Sequence, residues 1–156
     1  MFPSSYFSNW YYAPYYWANV GAAAAVVSVV TFEEAIHAYL TSSPYPLSAI
    51  SDRWYIYRAP DRVAEPYGVI GCISPDPIHS HSGPSPLIVR DYQISLFSPS
   101  QIQAISLADS VRAVFDGFTG TMSGLIVVML YRTEFYLYEE DTKLHHKALR
   151  FQVQYR

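Results

Sequence analysis

The chain has 156 residues, a single-domain length, and its hydrophobic content is 51%, its aromatic content 17% and its charged content only 15%. The last figure is well below the ~25% usual for soluble domains, so the chain carries more apolar and tyrosyl surface than one small core requires, and the usual destinations for such surface are a membrane or other protein subunits. The formal charge of −3 gives no global drive toward nucleic acid, because affinity for phosphate comes mainly from clustered Lys and Arg, and here these are scattered from Arg53 to Arg156.

Residues 1–19 are aromatic and uncharged: Phe2, Tyr6, Phe7, Trp10, Tyr11, Tyr12, Tyr15, Tyr16 and Trp17 all fall there. Pro3 and Pro14 argue against one continuous helix. Disordered leaders have few aromatics and high charge, whereas Tyr and Trp bury large area and keep a polar tip for water, which suits interfaces. The segment therefore reads as an arm packing on a neighbouring subunit. The Ala- and Val-rich run from Val20 to Val30 fits a helix or a strand equally well. It is the longest apolar run and falls short of the ~20 residues a membrane span needs. No Lys or Arg precedes it, so the basic region of a secretory signal is missing. Residues 1–30 are set apart as an N-terminal arm, and residues 31–156 as one α+β domain.

Thr31-Phe32-Glu33-Glu34 is a capping box, with Thr31 as cap and Glu34 reaching back. Phe32, Ala35, Ile36, Tyr39 and Leu40 follow at helical spacing, and the helix is expected to end before Ser43-Pro44. Glu33 and Glu34 project about 100° apart on a helix and cannot flank one substrate, which argues against a catalytic carboxylate pair. Strands are expected over 54–58 and 67–74. Cys72 is the only cysteine, which excludes an intramolecular disulfide framework. In its apolar run it reads as a buried, inert thiol. A loop, 75–86, then carries Pro75, Pro77, Pro84, Pro86, Gly83, Ile78, His79 and His81. Loops of this length are often functional or ordered by assembly.

A strand over 87–97 leads into Ser98-Pro99-Ser100-Gln101, which reads as a helix start with Ser98 as cap. Ile102, Ile105, Ala108, Val111 and Phe115 form the expected buried stripe, and Asp116-Gly117 the stop. A glycine-bearing turn is expected over 117–124, strands over 125–132 and 135–138, and a polar turn over 139–143. Leu149, Phe151, Val153 and Tyr155 then alternate with Arg150, Gln152, Gln154 and Arg156, a strand with one buried and one wet face. The fold class is α+β: a mainly antiparallel sheet of four to five strands, two amphipathic helices packed on it, and the aromatic arm.

Chemistry-bearing residues do not converge in the sequence. His79 and His81 could share a face of an extended stretch and take His145 or His146 as a further metal ligand. Adjacent His145 and His146 point to opposite faces of a strand, however, so at most one can join. Glu139-Glu140-Asp141 reads as a solvated acidic turn. No phosphate loop, dinucleotide fingerprint or nucleophile elbow is present. No catalytic residue and no cofactor is expected.

Several stretches in order resemble the tail-completion, or tail-terminator, family of long-tailed bacteriophages. They are Thr31-Phe-Glu-Glu-Ala-Ile-His-Ala-Tyr-Leu40, Asp52-Arg-Trp-Tyr-Ile-Tyr-Arg-Ala-Pro60 with Glu65-Pro-Tyr67, and Gly83-Pro-Ser85 with Arg90-Asp-Tyr-Gln-Ile94. Leu107-Ala-Asp-Ser-Val-Arg-Ala-Val-Phe-Asp-Gly117, Tyr138-Glu-Glu-Asp-Thr142 and Leu149-Arg-Phe-Gln-Val-Gln-Tyr155 complete the set. The resemblance runs from Thr31 to Arg156 and leaves out residues 1–30. It implies a small α+β subunit of a homo-oligomeric ring, usually a hexamer, in the virion neck. Such a ring sits on the head-proximal end of the tail tube, ends polymerisation of the tube protein and docks to the head-completion (stopper) protein. DNA passes through its lumen without sequence-specific binding. No membrane contact, cofactor or catalytic residue is implied. Expected contact regions are the arm (Tyr6, Trp10, Tyr11, Tyr12, Tyr15, Tyr16, Trp17), the loop (Ile78, His79, His81) and the acidic turn (Glu139, Glu140, Asp141). A stopper or adaptor of the neck is the alternative reading; a small enzyme using the histidines and a metal is another.

Overall fold

The computed structural model describes residues 30–74, 79–80, 83–84 and 87–156. The arm residues Tyr6 to Trp17, and Ile78 and His81 of the loop, lie outside them. The elements are α1 (Phe32–Thr41), β1 (Trp54–Ile56), β2 (Tyr67–Ser74), β3 (His79–Ser80), β4 (Gly83–Pro84), β5 (Ile88–Ser98), α2 (Gln101–Phe115), β6 (Phe118–Met122), β7 (Leu125–Glu139) and β8 (Leu144–Tyr155). A six-stranded sheet runs in the order β1-β2-β5-β8-β7-β6, and β3 and β4 form a separate two-stranded hairpin.

The sheet is larger than expected and not wholly antiparallel. β1 pairs parallel to β2, with Trp54 opposite Gly68 and Ile56 opposite Ile70. All other pairs in the sheet are antiparallel. The expected turn over 117–124 instead holds β6, paired with β7 from Phe118–Met129 to Met122–Leu125. Thr119, Gly120 and Thr121 give it no apolar alternation, so it is invisible to pattern reading. The hairpin closes through Ser123 and Gly124, with φ of 47° and 91°, the left-handed pair whose twist matches that of the strands. The two short strands expected over 125–138 are one strand, interrupted by a register shift between Tyr131 and Thr133. That shift re-aims the side chains beyond it. The 75–86 loop carries the β3–β4 hairpin, with His79 opposite Pro84.

The capping box at α1 forms as the sequence dictates. Glu34 N–H donates to Thr31 Oγ1 at 3.3 Å, and Thr31 N–H donates to Glu34 Oε2 at 3.0 Å. α2 departs from expectation at its start. It begins at Gln101 with Ser100 as a cap that makes no side-chain bond. Ser98 is fully buried; its hydroxyl donates to Gln103 Oε1 at 2.6 Å and accepts from Ser100 N–H at 3.3 Å. Its buried stripe is Ala104, Leu107, Ala108, Val111 and Phe115. Ile102 and Ile105 are 80% and 41% exposed, because the sheet lies beneath the 104/107 side of the first turns. The stop forms as expected, with Gly117 at φ 73°.

Both helices lie on one side of the sheet. α1 touches both β1 and β6, while α2 lies across β5, β7 and β8, so the sheet curls around the helical layer. Phe32 stacks on Tyr155 at 5.4 Å and tilts against Tyr92 at 4.6 Å; Tyr39 meets Phe118 edge-on at 5.6 Å. Phe151, alternating as predicted with the polar residues of β8, sits edge-on to Phe115 and Tyr131. Gly68 is set by close approach: a Cβ there would meet the Trp54 ring at 2.3 Å. Cys72 is partly rather than fully buried. It lies opposite Tyr92, and burial pushes its thiol above the usual value.

Candidate interaction surface

The opposite side of the sheet carries no helix among the described residues. On it, alternate residues of five strands form cross-strand rows. Tyr67, Phe97, His146 and Leu137 lie directly opposite one another on β2, β5, β8 and β7. Their rings stack, Tyr67 on Phe97 at 4.8 Å and Phe97 on His146 at 4.3 Å, and Tyr55 of β1 extends the row edge-on to Tyr67 at 6.2 Å. Such cross-strand aromatic pairs each add roughly 0.2–1 kcal/mol to a sheet. The next row is Val69, Ser95, Ala148 and Phe135. Beyond it the face turns polar: Gln93 donates to Ser95 Oγ at 2.8 Å, and Arg132 donates to Gln152 Oε1 at 2.7 Å.

A cleft of about 580 Å³ opens between the 57–65 loop and the β7–β8 turn. Arg58, Tyr67, Phe97, Glu139, Thr142 and Leu144 are among its walls. The acidic turn thus stands at the rim of the aromatic row. Thr142 donates to Glu139 Oε2 at 3.0 Å, and Glu140 and Asp141 are exposed. His146 lies within the sheet, its Nδ1 3.7 Å from Glu139 Oε1. Burial pushes its pKa below the usual histidine value, partly offset by Glu139, so it is neutral at pH 7 and packs as a ring.

The two histidines of β8 do not converge. His145 faces the helix side, where its Nδ1 pairs with Tyr136 OH at 2.6 Å, while His146 faces the aromatic row. Among the described residues no group of three His, Cys, Asp or Glu could hold a metal. No helix there is long and apolar enough to cross a membrane. The two acidic residues of α1 divide their work. Glu34 closes the cap, and Glu33 Oε1 accepts from Tyr57 OH at 3.0 Å and Tyr92 OH at 3.1 Å. Burial, with Tyr155 and Glu33 beside it, holds the Tyr92 phenol far above the usual tyrosine value. Glu33 is therefore an anchor between α1, β5 and the end of β1.

Sequence reading missed the most exposed apolar stretch, the second half of β7. Phe135, Tyr136, Leu137 and Tyr138 are 52%, 40%, 53% and 49% exposed. Four large apolar residues in succession cannot all face one core from a strand, and that signal stood in the sequence. The Tyr67–Phe97–His146 row needed the strand register.

No family model matches the chain, and no curated protein matches it. Among solved structures, its fold matches a chain of the virion of a native gene transfer agent particle, with a TM-score of 0.61 at 16% identity. The match covers 79% of this chain and 92% of that one. At that identity the likeness is one of fold.

Proposed function

We propose that the chain is a structural subunit of a phage-like virion, and within it a tail terminator. Copies form a ring at the head-proximal end of the tail tube, stop tube polymerisation and join the tail to the head-completion protein, with DNA passing through the lumen. The observation that carries this reading is the fold likeness to a virion chain over 92% of that chain's length. It converges with the ordered sequence resemblance of residues 31–156. The helix-free sheet face and the exposed end of β7 supply the apolar surface that assembly requires. The reading gives the chain no catalytic role and no cofactor. The mild acidity of the subunit suits a conduit through which DNA slides without being held.

The arm (Tyr6 to Trp17), the 75–86 loop (Ile78, His79, His81) and the acidic turn (Glu139, Glu140, Asp141) make the contacts with ring neighbours, tube and stopper. Electron microscopy of the purified full chain tests the reading. Six-fold rings are expected; twelve-fold rings would move it to an adaptor of the same neck, and a chain that stays monomeric at every concentration would overturn it.

A further inference from the structure

The sheet has two edges, and they are treated differently. At the β1 edge the outward groups are already used within the chain. Trp54 O pairs with His37 Nε2 at 3.0 Å, Trp54 N–H donates to Asp52 O at 2.9 Å, and Ile56 O accepts from Arg58 N–H at 2.7 Å. At the other edge, β6 covers β7 only from Leu125 to Met129. Tyr131 N–H is then taken by Asp116 Oδ1 at 3.2 Å. From Thr133 to Glu139, beyond the register shift at Arg132, β7 pairs with β8 on one side, and no strand among the described residues pairs with the other.

Natural edge strands are kept from pairing by Lys, Pro, bulges or shortness. Here a bulge and Arg132 guard only the start. Phe135-Tyr136-Leu137-Tyr138 holds no charge and no proline, and all four side chains are about half exposed. A bare backbone edge flanked by apolar side chains on both faces fits an extended, uncharged segment added as a further strand.

The chain contains such a segment. Residues 1–29 have no charged side chain, are dense in Tyr, Phe and Trp, and end in the β-branched Val26, Val27 and Val29. They enter the domain at Val30, which packs against the core. The next core residue, Phe32, lies on Tyr155 at one end of β8, whereas the bare edge runs beside Leu144 to Arg150 at the other. Fully extended, the segment reaches up to ~95 Å, enough to span to a second subunit.

Resting on the ring reading and deepening it, we propose that the outer edge of β7 from Arg132 to Glu139 is completed by the N-terminal segment of a neighbouring copy, added as a strand. Each copy gives its segment to the next and receives one in turn, a head-to-tail contact that closes in a ring.

The test uses the full chain with Leu137→p-benzoylphenylalanine, a photo-crosslinking residue at a half-exposed position that leaves the core untouched. This variant is mixed with isotopically heavy wild-type chain, allowed to assemble and irradiated, and the crosslinked peptides are sequenced by mass spectrometry. The expected result is a light residue-137 peptide joined to heavy peptides from residues 1–29. Rings whose crosslinks from position 137 fall on β7 of another copy, on any other segment, or only within the same copy would overturn the inference and leave the ring reading standing. A chain that is monomeric by native mass spectrometry would overturn both.

Discussion

The two faces of the curled sheet are made by the same strands and differ in what covers them. On the helix side, Trp54, Ile70, Tyr92, Ile94, Phe151 and Val153 are buried completely or nearly so beneath α1 and α2. On the other, Tyr67, Phe97 and His146 stack on one another with no helix of the described residues above them, and Phe135 and Leu137 remain about half exposed. A single β8 serves both, since Leu149, Phe151 and Val153 point one way while His146, Arg150 and Gln152 point the other. The difference separates stability from assembly. The helix side holds the monomer together, and the open side with its bare edge is the surface proposed for assembly.

Substitutions on the helix side are expected to cost the most stability. Phe151→Ala removes a ring that packs edge-on against Phe115 and Tyr131 and is expected to lower unfolding free energy by about 3–5 kcal/mol, measured by denaturant titration. Gly68→Ala drives a methyl into the Trp54 ring. Overpacking of that kind costs about 1–3 kcal/mol, and an unchanged denaturation midpoint would show that the ring has room to move.

The two helix starts sharpen the comparison within the covered side. Thr31→Ala breaks a cap whose reciprocal bonds are both present and should cost about 1 kcal/mol. Ser100→Ala, at a cap making no side-chain bond, should stay within about 0.5 kcal/mol. Equal losses at the two sites would contradict the cap geometry.

On the open side the effect on stability is smaller and the effect on assembly larger. The double variant Phe135→Lys with Leu137→Lys should unfold within about 1 kcal/mol of the parent. It should remain monomeric in native mass spectrometry at concentrations where the parent assembles, because charged side chains blunt an edge. His146 adds a small pH effect. Its folded pKa lies below the unfolded value of about 6.5, so its stabilisation is full above about pH 6.5 and is lost as the pH falls below it. His146→Phe keeps a ring against Phe97 and should flatten that part of the stability profile.

Much of the fold was legible in the residues. The capping box at Thr31, the α1 stripe, the stop at Gly117 and the alternation of β8 are local patterns whose cause lies within a few residues. The misreadings share one origin. Ile102 and Ala104 both belong to plausible stripes of α2, and only the position of the sheet chooses between them. β6 lacks alternation because Thr119, Gly120 and Thr121 are held by the Ser123-Gly124 turn and by pairing with β7, not by burial of their own. The parallel placement of β1 depends on how the 57–66 loop returns, which no local pattern encodes.

What the sequence determined by itself is the set of elements with short-range causes, the excess of aromatic over charged surface, and the ordered resemblance to a tail-terminator subunit. What only the tertiary structure decided is which apolar residues that excess comprises. Strand register brings Tyr67, Phe97 and His146 into one row, and the short reach of β6 leaves β7 without a second partner strand among the described residues from Arg132 onward. Register and edge exposure are relations between distant segments, set by the curl of the whole sheet, and a chain read one window at a time does not contain them.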